Sequence, residues 1–228
     1  MHAIDFDVIQ RSLPFLWKGL QFSVQLTVTA MIGGIILGTL LAMMRLSSFK
    51  LLYLPATAYV NGIRSIPLVL VIFWFYFMVP LILQAVTRAP SPVHVGPEKS
   101  ALITFILFQA AYYSEIMRAG IQSVSRGQVS AAYALGLTYF QSMAQVILPQ
   151  AFRNMIPILL TQTIVLFQDT SLVYVLSITD LLGAAVKTAQ RDGRLVEMYV
   201  FVALIYFVLS YALSELVKRL QTRVAVIR

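Results

Sequence analysis

One carboxylate, that of Asp169, lies near the middle of a long apolar stretch of the chain. If that stretch crosses a membrane, an unpaired charge there costs at least about 2.5–3.5 kcal/mol on insertion scales, so it requires a partner. Nearby polar residues are Gln162, seven residues earlier on the same helical face, and Gln168, Thr170 and Ser171. This pattern predicts a polar stripe facing a cavity, where Asp169 pairs with an ammonium group, or alternatively a hydrogen bond that fixes a neighbouring helix.

A second group of charged and aromatic residues surrounds the end of another apolar stretch. Glu115 and Arg118 are three residues apart, which predicts an ion pair that orients the segment after them. Tyr112 is a candidate for lining a polar path, although adjacent tyrosines near a membrane interface are usually anchors. Arg64, just before Pro67, is a candidate for contacting a carboxylate or, equally, lipid headgroups.

Several kinds of chemistry lack the residues they need. The sequence has no cysteine, and its two histidines, His2 and His94, are far apart, so we expect no metal site. No phosphate-binding G-x-x-x-x-G-K-[S/T] motif occurs, and no nucleophile with a positioned base is evident. We therefore expect no enzyme activity and no cofactor in this chain. The net charge of +8 is assigned to cytoplasmic loops and lipid headgroups, with no nucleic acid partner.

Composition points to a bilayer as the solvent. Of 228 residues, 59% are hydrophobic and the mean hydropathy is +0.82, far more apolar surface than one soluble core of this length hides. A helix crosses about 30 Å of hydrocarbon with roughly 17–25 apolar residues and satisfies its own backbone groups there. The sequence predicts an all-α integral membrane protein.

Five apolar segments are long enough to span a bilayer within a single transmembrane domain, 1–228. Pro67 predicts a break between an amphipathic approach helix, which starts at Leu51, and the second span. The apolar run after Lys18 is too long for a signal peptide, so we expect an uncleaved first span. The expected spans are about 19–44, 68–86, 100–117, 156–178 and 196–216.

The distribution of Lys and Arg residues predicts the orientation. An odd number of spans places the termini on opposite sides of the membrane. The larger share of the cations falls on the side of the C-terminus, and the cytoplasmic side carries the excess of such residues. We expect a multi-pass protein with a periplasmic N-terminus and a cytoplasmic C-terminus.

The segment between the third and fourth spans, 118–155, is neither apolar enough to be a span nor low in complexity; it is called the signature loop below. Ser130 to Gln145 favours a helix that Gly136 interrupts, and Pro149 follows. The pattern predicts a helix, a bend and a second helix on the cytoplasmic side. Such a unit can seat on a soluble partner and pass rigid-body motion to the spans.

The signature loop resembles the cytoplasmic segment by which ABC-importer permeases dock on the ATP-hydrolysing subunit. The matching residues are Ser130, Ala131, Ala132, Gly136, Val146, Ile147, Leu148 and Pro149. The chain departs from the family pattern at two of them, because the family often has Glu in place of Ser130 and Ile in place of Val146.

Other segments resemble the polar amino acid branch of this family, which imports histidine, glutamate, glutamine or arginine, and are most similar to glutamate/aspartate importer permeases. These segments are Arg64–Leu68, Tyr113–Ile121, Ser125–Gln128 and Val165–Leu172, so the resemblance runs essentially end to end. It implies the type I ABC importer permease fold, with a coupling helix between spans three and four, in the bacterial inner membrane.

The resemblance also implies partners. A complex would contain two permeases, as a homodimer or with a distinct sibling permease, two ATPase subunits that bind ATP and Mg, and a periplasmic amino acid-binding protein. This chain would be the conduit, most similar to one for glutamate/aspartate.

Three alternatives stay open from the sequence. The same family could import glutamine, arginine or another polar amino acid. A self-contained secondary transporter would show internal repeats with interrupted helices, and none is seen here. A membrane scaffold would explain the spans and the signature loop but not the polar stripe.

Overall fold

The structure, a computed structural model, describes residues 6–224, and within that range every regular element is helical. Two irregular helical segments continue α-helices: a π-helical segment, Met143–Ile147, and a 3-10 segment, Thr170–Leu176. The α-helices are α1 (Phe6–Leu46), α2 (Lys50–Arg64), α3 (Leu68–Thr87), α4 (Pro97–Gln122), α5 (Arg126–Ala134), α6 (Tyr139–Ser142), α7 (Leu148–Asp169), α8 (Leu181–Asp192) and α9 (Leu195–Val224).

Five helical segments in the described range are long and apolar enough to span a membrane, which confirms the predicted all-α, five-span fold. They are Asp7–Leu46, Leu68–Thr87, Pro97–Gln122, Tyr139–Leu176 and Leu195–Thr222. The helices extend past the apolar stretches that identify them in sequence. With 41 residues, α1 is about 60 Å long, roughly twice the hydrocarbon thickness.

The second and fourth spans differ in how they are interrupted. The helix α2 ends at Arg64 and α3 begins at Leu68, with Pro67 as its N-cap, so the chain breaks where the proline predicts. The sequence predicts a fourth span over about 156–178; in the structure α7 ends at Asp169 within that range and a 3-10 segment follows. The buried hydroxyl of Thr170 donates to the Phe167 carbonyl oxygen at 2.7 Å, a local bond that competes with the helical pattern.

Two compact units divide the chain. The first contains the described residues up to Ile32, with Ile66–Ile106 and Ile164–Ala212; the second contains Gly33–Ser65, Leu107–Thr163 and the described residues from Leu213. Each has its own apolar core. The first core is built from Val8, Leu16, Leu181, Ala184, Ala185, Ala189, Met198 and Val202. The second is built from Ala42, Met117, Val124, Ile147, Ala151 and Met155.

In the first unit, Asp180 caps the N-terminus of α8. Its two carboxylate oxygens accept hydrogen bonds from the backbone N–H groups of Gly183 at 2.9 Å and Leu182 at 3.0 Å. The next donor, the N–H of Leu181, bonds to the hydroxyl oxygen of Ser23 on α1 at 3.2 Å. Burial raises the pKa of Asp180 to about 6, although the backbone donors act to lower it. The first turn of α8 is therefore fixed by side chains rather than by water.

Two glycines allow this turn to sit close to its neighbours. A Cβ atom added at Gly19 would lie 2.5 Å from the carbonyl oxygen of Asp180. A Cβ atom at Gly183 would overlap the carbonyl oxygen of Ile178 and approach Asp180 Oδ1 to 2.8 Å. Neither position has room for a larger residue without a backbone shift.

In the second unit, α1 packs closely against α4. A Cβ atom at Gly34 would lie 3.0 Å from Gln109 Cβ, and one at Gly38 would lie 3.0 Å from the Ala110 carbonyl oxygen. The ring of Tyr113, which is fully buried, fills the space that these glycines leave. Small residues at such a contact let two membrane helices approach and fix their register.

The tight turn at α8 makes a testable prediction for Gly183→Ala. We expect a loss of about 1–3 kcal/mol in stability, because the added methyl group displaces the Ile178 carbonyl or the Asp180 cap. Gly127→Ala is the matched control, since a Cβ atom there meets nothing within 4 Å and alanine favours the α5 helix. Thermal unfolding of the purified variants measures both. Equal melting temperatures would show that the turn at α8 is not tightly packed.

Candidate functional site

Three arginines of the second unit converge on one carboxylate, that of Glu115; the four residues Arg45, Arg64, Glu115 and Arg118 are called the charged cluster. Glu115 Oε2 lies 2.6 Å from Arg45 Nη1 and 3.8 Å from Arg64 Nη1. Glu115 Oε1 pairs with Arg118 Nη2, one helical turn further along α4. The predicted pair of Glu115 and Arg118 is therefore present, within a larger cluster.

The helices explain why these side chains meet. Arg45 lies in the last turn of α1, Arg64 is the last residue of α2, and Glu115 and Arg118 share one face of α4. The close contact of α1 with α4 at Gly34 and Gly38 sets the register that brings Arg45 to Glu115. Cations near helix C-termini are also favoured by the helix dipole.

The sequence predicts the pair of Glu115 and Arg118, and Arg64 and Tyr112 as separate candidates, and the structure brings all four together. The guanidinium carbon of Arg64 lies 5.3 Å from the centroid of the Tyr112 ring, a cation–π contact next to Glu115. Arg45 was missed, because an arginine at the end of a span has the usual pattern of a headgroup anchor. Its burial, with only 7% of the side chain exposed, is what distinguishes it.

Hydrogen bonds between polar side chains link α4 to α7 within the same unit. The side-chain amide of Gln162 donates to Gln109 Oε1 at 3.2 Å, and the hydroxyl groups of Tyr113 and Thr163 are 2.9 Å apart. Gln162 therefore has a partner on α4. Bonds of this kind between membrane helices contribute on the order of 1 kcal/mol each.

Asp169 belongs to the first unit and is the last residue of α7. It lies seven residues before the end of the candidate span at Leu176, rather than at the middle of a continuous helix. Its carboxylate is partly buried, and within residues 6–224 it makes no hydrogen bond or ion pair. Of its neighbours, Gln168 is exposed, Ser171 is partly buried and Thr170 is buried.

The signature loop folds as a helix, a bend and a second helix. Ser125 caps α5 by accepting a hydrogen bond from the N–H of Gln128, and Gly136 makes the bend with a φ of +80°. Thr138 and Gln141 form a capping box that starts α6. The π-helical segment then runs directly into α7, so the loop ends in a membrane span without a break.

The residues that resemble the docking motif divide by exposure. Ser130, Ala131, Gly136 and Pro149 are exposed and Leu148 is partly buried. Ala132 and Ile147 are buried in the unit, so their side chains support the loop and do not form a contact surface. The large exposed side chains of Leu135, Tyr139 and Phe140 were not singled out from the sequence.

A cavity of about 510 Å³ lies beneath the second helix of the signature loop. Its lining is almost entirely apolar and includes Met43, Met117, Tyr139, Phe140 and Phe152.

Over residues 6–224, no three His, Asp or Glu side chains lie close enough to hold a metal ion.

The charged cluster predicts that Glu115→Gln lowers stability by about 1–3 kcal/mol, because three arginines lose the carboxylate that they share. Glu215→Gln is the control: its pair with Lys218 is exposed, and such pairs contribute about 0–1 kcal/mol. Thermal unfolding in nanodiscs compares the two variants. If both melt like the unmodified protein, the charged cluster does not hold the second unit together.

Most of the chain matches a known family of membrane transport proteins. Residues 34–226 match the family described as binding-protein-dependent transport system inner membrane component. The chain is 55% identical over 225 residues to the glutamate/aspartate import permease protein GltK of Escherichia coli O157:H7, covering 99% of this chain and 100% of that protein. It is 37% identical to the probable glutamine ABC transporter permease protein GlnM of Bacillus subtilis strain 168, over 86% and 87% of the two chains.

The fold of this chain is also similar to that of a solved amino acid transporter. The crystal structure of an amino acid ABC transporter with histidines superposes with a TM-score of 0.89 at 31% identity, over 97% of this chain and 100% of that one. The chain therefore belongs to the binding-protein-dependent inner membrane components, as a multi-pass permease of the polar amino acid ABC importers.

Proposed function

We propose that this chain translocates glutamate and aspartate across the bacterial inner membrane. The observation that carries the proposal is the 55% identity to GltK over 99% of the chain. A match of that extent includes every span and the signature loop, so the translocation path and the docking surface are both within the compared region. The charged cluster agrees with an anionic substrate, because it holds more cations than carboxylates.

A permease of this family does not hydrolyse ATP and carries no cofactor. It acts in a complex with an ATPase subunit, which binds ATP and Mg, and with a binding protein that delivers the substrate. We propose that residues 1–228 act as one permease domain and pair with a sibling permease, either a second copy or a related chain.

The proposed orientation places the N-terminus in the periplasm and the C-terminus in the cytoplasm. Arg45, Arg64 and Arg118 lie at or near the ends of helices α1, α2 and α4, and all three meet at Glu115, three residues before the signature loop begins. Cations at span ends favour the cytoplasmic side. The signature loop then faces the ATPase.

For the substrate path we retain two groups of residues. Asp169 is the proposed partner of the substrate ammonium group, since its carboxylate is partly buried and has no partner within residues 6–224. The others proposed for the path are Gln162, Gln168, Thr170, Ser171, Tyr112, Glu115 and Arg64. Gln162, Glu115 and Arg64 already contact other side chains, so substrate would have to exchange with those contacts.

For docking, we propose that the exposed part of the signature loop enters a groove on the ATPase. Ser130, Ala131, Gly136 and Pro149 are small or compact and exposed, and the large apolar side chains of Leu135 and Phe140 project beside them, each 82% exposed. Apolar side chains exposed to this extent on a cytoplasmic loop are typical of an interaction surface.

Glutamine import is the second candidate, supported by the 37% identity to GlnM. Arginine or another polar amino acid remains within the same branch. The lower identity makes these substrates the alternative outcome of the transport experiment below.

The docking proposal predicts that Leu135→Ser weakens binding of the ATPase subunit by about tenfold or more, because burying a leucine contributes roughly 1.5–3 kcal/mol. Leu195→Ser is the matched control, since Leu195 is also exposed but lies at the start of α9. Titration of the ATPase subunit onto the permease pair in nanodiscs gives both affinities. An unchanged affinity for Leu135→Ser would remove this side chain from the interface.

The transport proposal predicts saturable, ATP-dependent uptake of labelled glutamate and aspartate. The assay uses proteoliposomes with this chain, its sibling permease and the ATPase, with binding protein outside and ATP inside. Labelled glutamine and arginine are measured in parallel. Preference for glutamine or arginine would keep the family and change the substrate, and uptake by this chain alone without ATP would contradict the whole assignment.

A further inference from the structure

The charged cluster has an excess of positive charge that its own residues do not balance. Three guanidinium groups share the single carboxylate of Glu115. An arginine stays protonated in proteins, so the excess cannot be removed by titration. A partly buried excess of two positive charges favours an anion from outside the cluster.

Glu115 holds two of the three arginines firmly. Arg45 donates to Oε2 at 2.6 Å, and Arg118 bonds to Oε1 while its Nη1 donates to Gln122 at 2.6 Å. Arg45 is nearly buried, yet its Nε atom has no hydrogen-bond partner in the described part of the chain. A buried unpaired donor is costly, which makes an additional acceptor at this position favourable.

Arg64 is held differently. Its Nη1 atom lies 3.8 Å from Glu115 Oε2, beyond hydrogen-bonding distance, and 38% of its side chain is exposed. The guanidinium plane lies over Tyr112 and makes no hydrogen bond to any residue between 6 and 224. Its forked donors are therefore positioned by the aromatic ring but unoccupied, and their geometry matches a carboxylate.

We propose that Arg64, within the positively charged cluster, is a binding point for the carboxylate of an acidic substrate during translocation. This rests on the proposed function. An incoming carboxylate replaces the weak contact between Arg64 and Glu115, while Glu115 stays bound to Arg45 and Arg118. The exchange keeps Glu115 paired with Arg45 and Arg118 throughout, so no strong ion pair has to break when the substrate binds or leaves.

The same chemistry would suit a phosphate group of an anionic lipid, because both ligands present paired anionic oxygens. If the ligand is an anionic lipid, replacing Arg64 changes import only in membranes that contain that lipid. If the ligand is the substrate carboxylate, replacing Arg64 changes import in any membrane. Lipid composition therefore separates the two sources.

The test measures glutamate imported per ATP hydrolysed by the complete transporter, for Arg64→Gln, Arg64→Lys and the unmodified chain. Vesicles contain phosphatidylcholine alone or with phosphatidylglycerol. Arg219→Gln is the matched control, since Arg219 is exposed on α9. Loss of one charge-assisted hydrogen bond predicts import per ATP about tenfold lower for Arg64→Gln in both vesicles. We expect an intermediate value for Arg64→Lys and no change for Arg219→Gln.

Stimulation of ATP hydrolysis by the loaded binding protein should persist in the variants, which shows that the complex is assembled. The proposal would be overturned if Arg64→Gln imports as much glutamate per ATP as the unmodified chain. It would also be overturned if import by Arg64→Gln is lowered only in vesicles that contain phosphatidylglycerol. If the Arg64 variants hydrolyse ATP faster than the unmodified transporter in the absence of binding protein, Arg64 instead stabilises the resting state of the transporter, which would also overturn the proposal. If the complex with Arg64→Gln does not assemble, the Arg64→Lys variant decides: glutamate import per ATP equal to that of the unmodified chain would overturn the proposal. Failure of the unmodified transporter to import either acidic amino acid would reject the proposed function itself.

Discussion

The second unit depends on the approach of α1 to α4. Gly34 and Gly38 leave room for buried Tyr113, and a Cβ atom at either glycine would come within 3.0 Å of atoms of α4. In a bilayer the lipid chains are as apolar as the side chains, so close packing, and not the hydrophobic effect, holds two helices together. The position of Arg45 relative to Glu115 follows from that contact, and with it the arrangement of the charged cluster.

The number and type of the membrane elements could be predicted from the sequence because the bilayer enforces them. A stretch as apolar as Leu68–Thr87 has only one stable form in hydrocarbon, and Pro67 has to break the helix before it. The helix ends were less predictable. Polar residues such as Asp7 and Arg11 continue α1 outside the apolar stretch, and the shift to a 3-10 helix after Asp169 coincides with a side-chain bond of Thr170 that no apolar pattern indicates.

The site was only partly predictable, for a different reason. Spacing along one helix identified Glu115 with Arg118, because residues three apart on a helix are neighbours. Spacing could not identify Arg45 or the contact of Arg64 with Tyr112, since both join helices that are distant in sequence. Likewise, the motif residues Ala132 and Ile147 are buried, and only the fold shows that Leu135 and Phe140 form the exposed surface of the signature loop.

The π-helical segment Met143–Ile147 joins α6 to α7 without a loop. Each residue in a continuous helix turns the next by about 100°, and a π-helical turn holds one residue more than an α-helical turn. The number of residues in this segment therefore determines the direction in which Phe140 of α6 points, relative to the side chains of α7. An insertion or deletion in this stretch would therefore turn the exposed surface of α6 relative to the span that follows, even if the composition of both were unchanged.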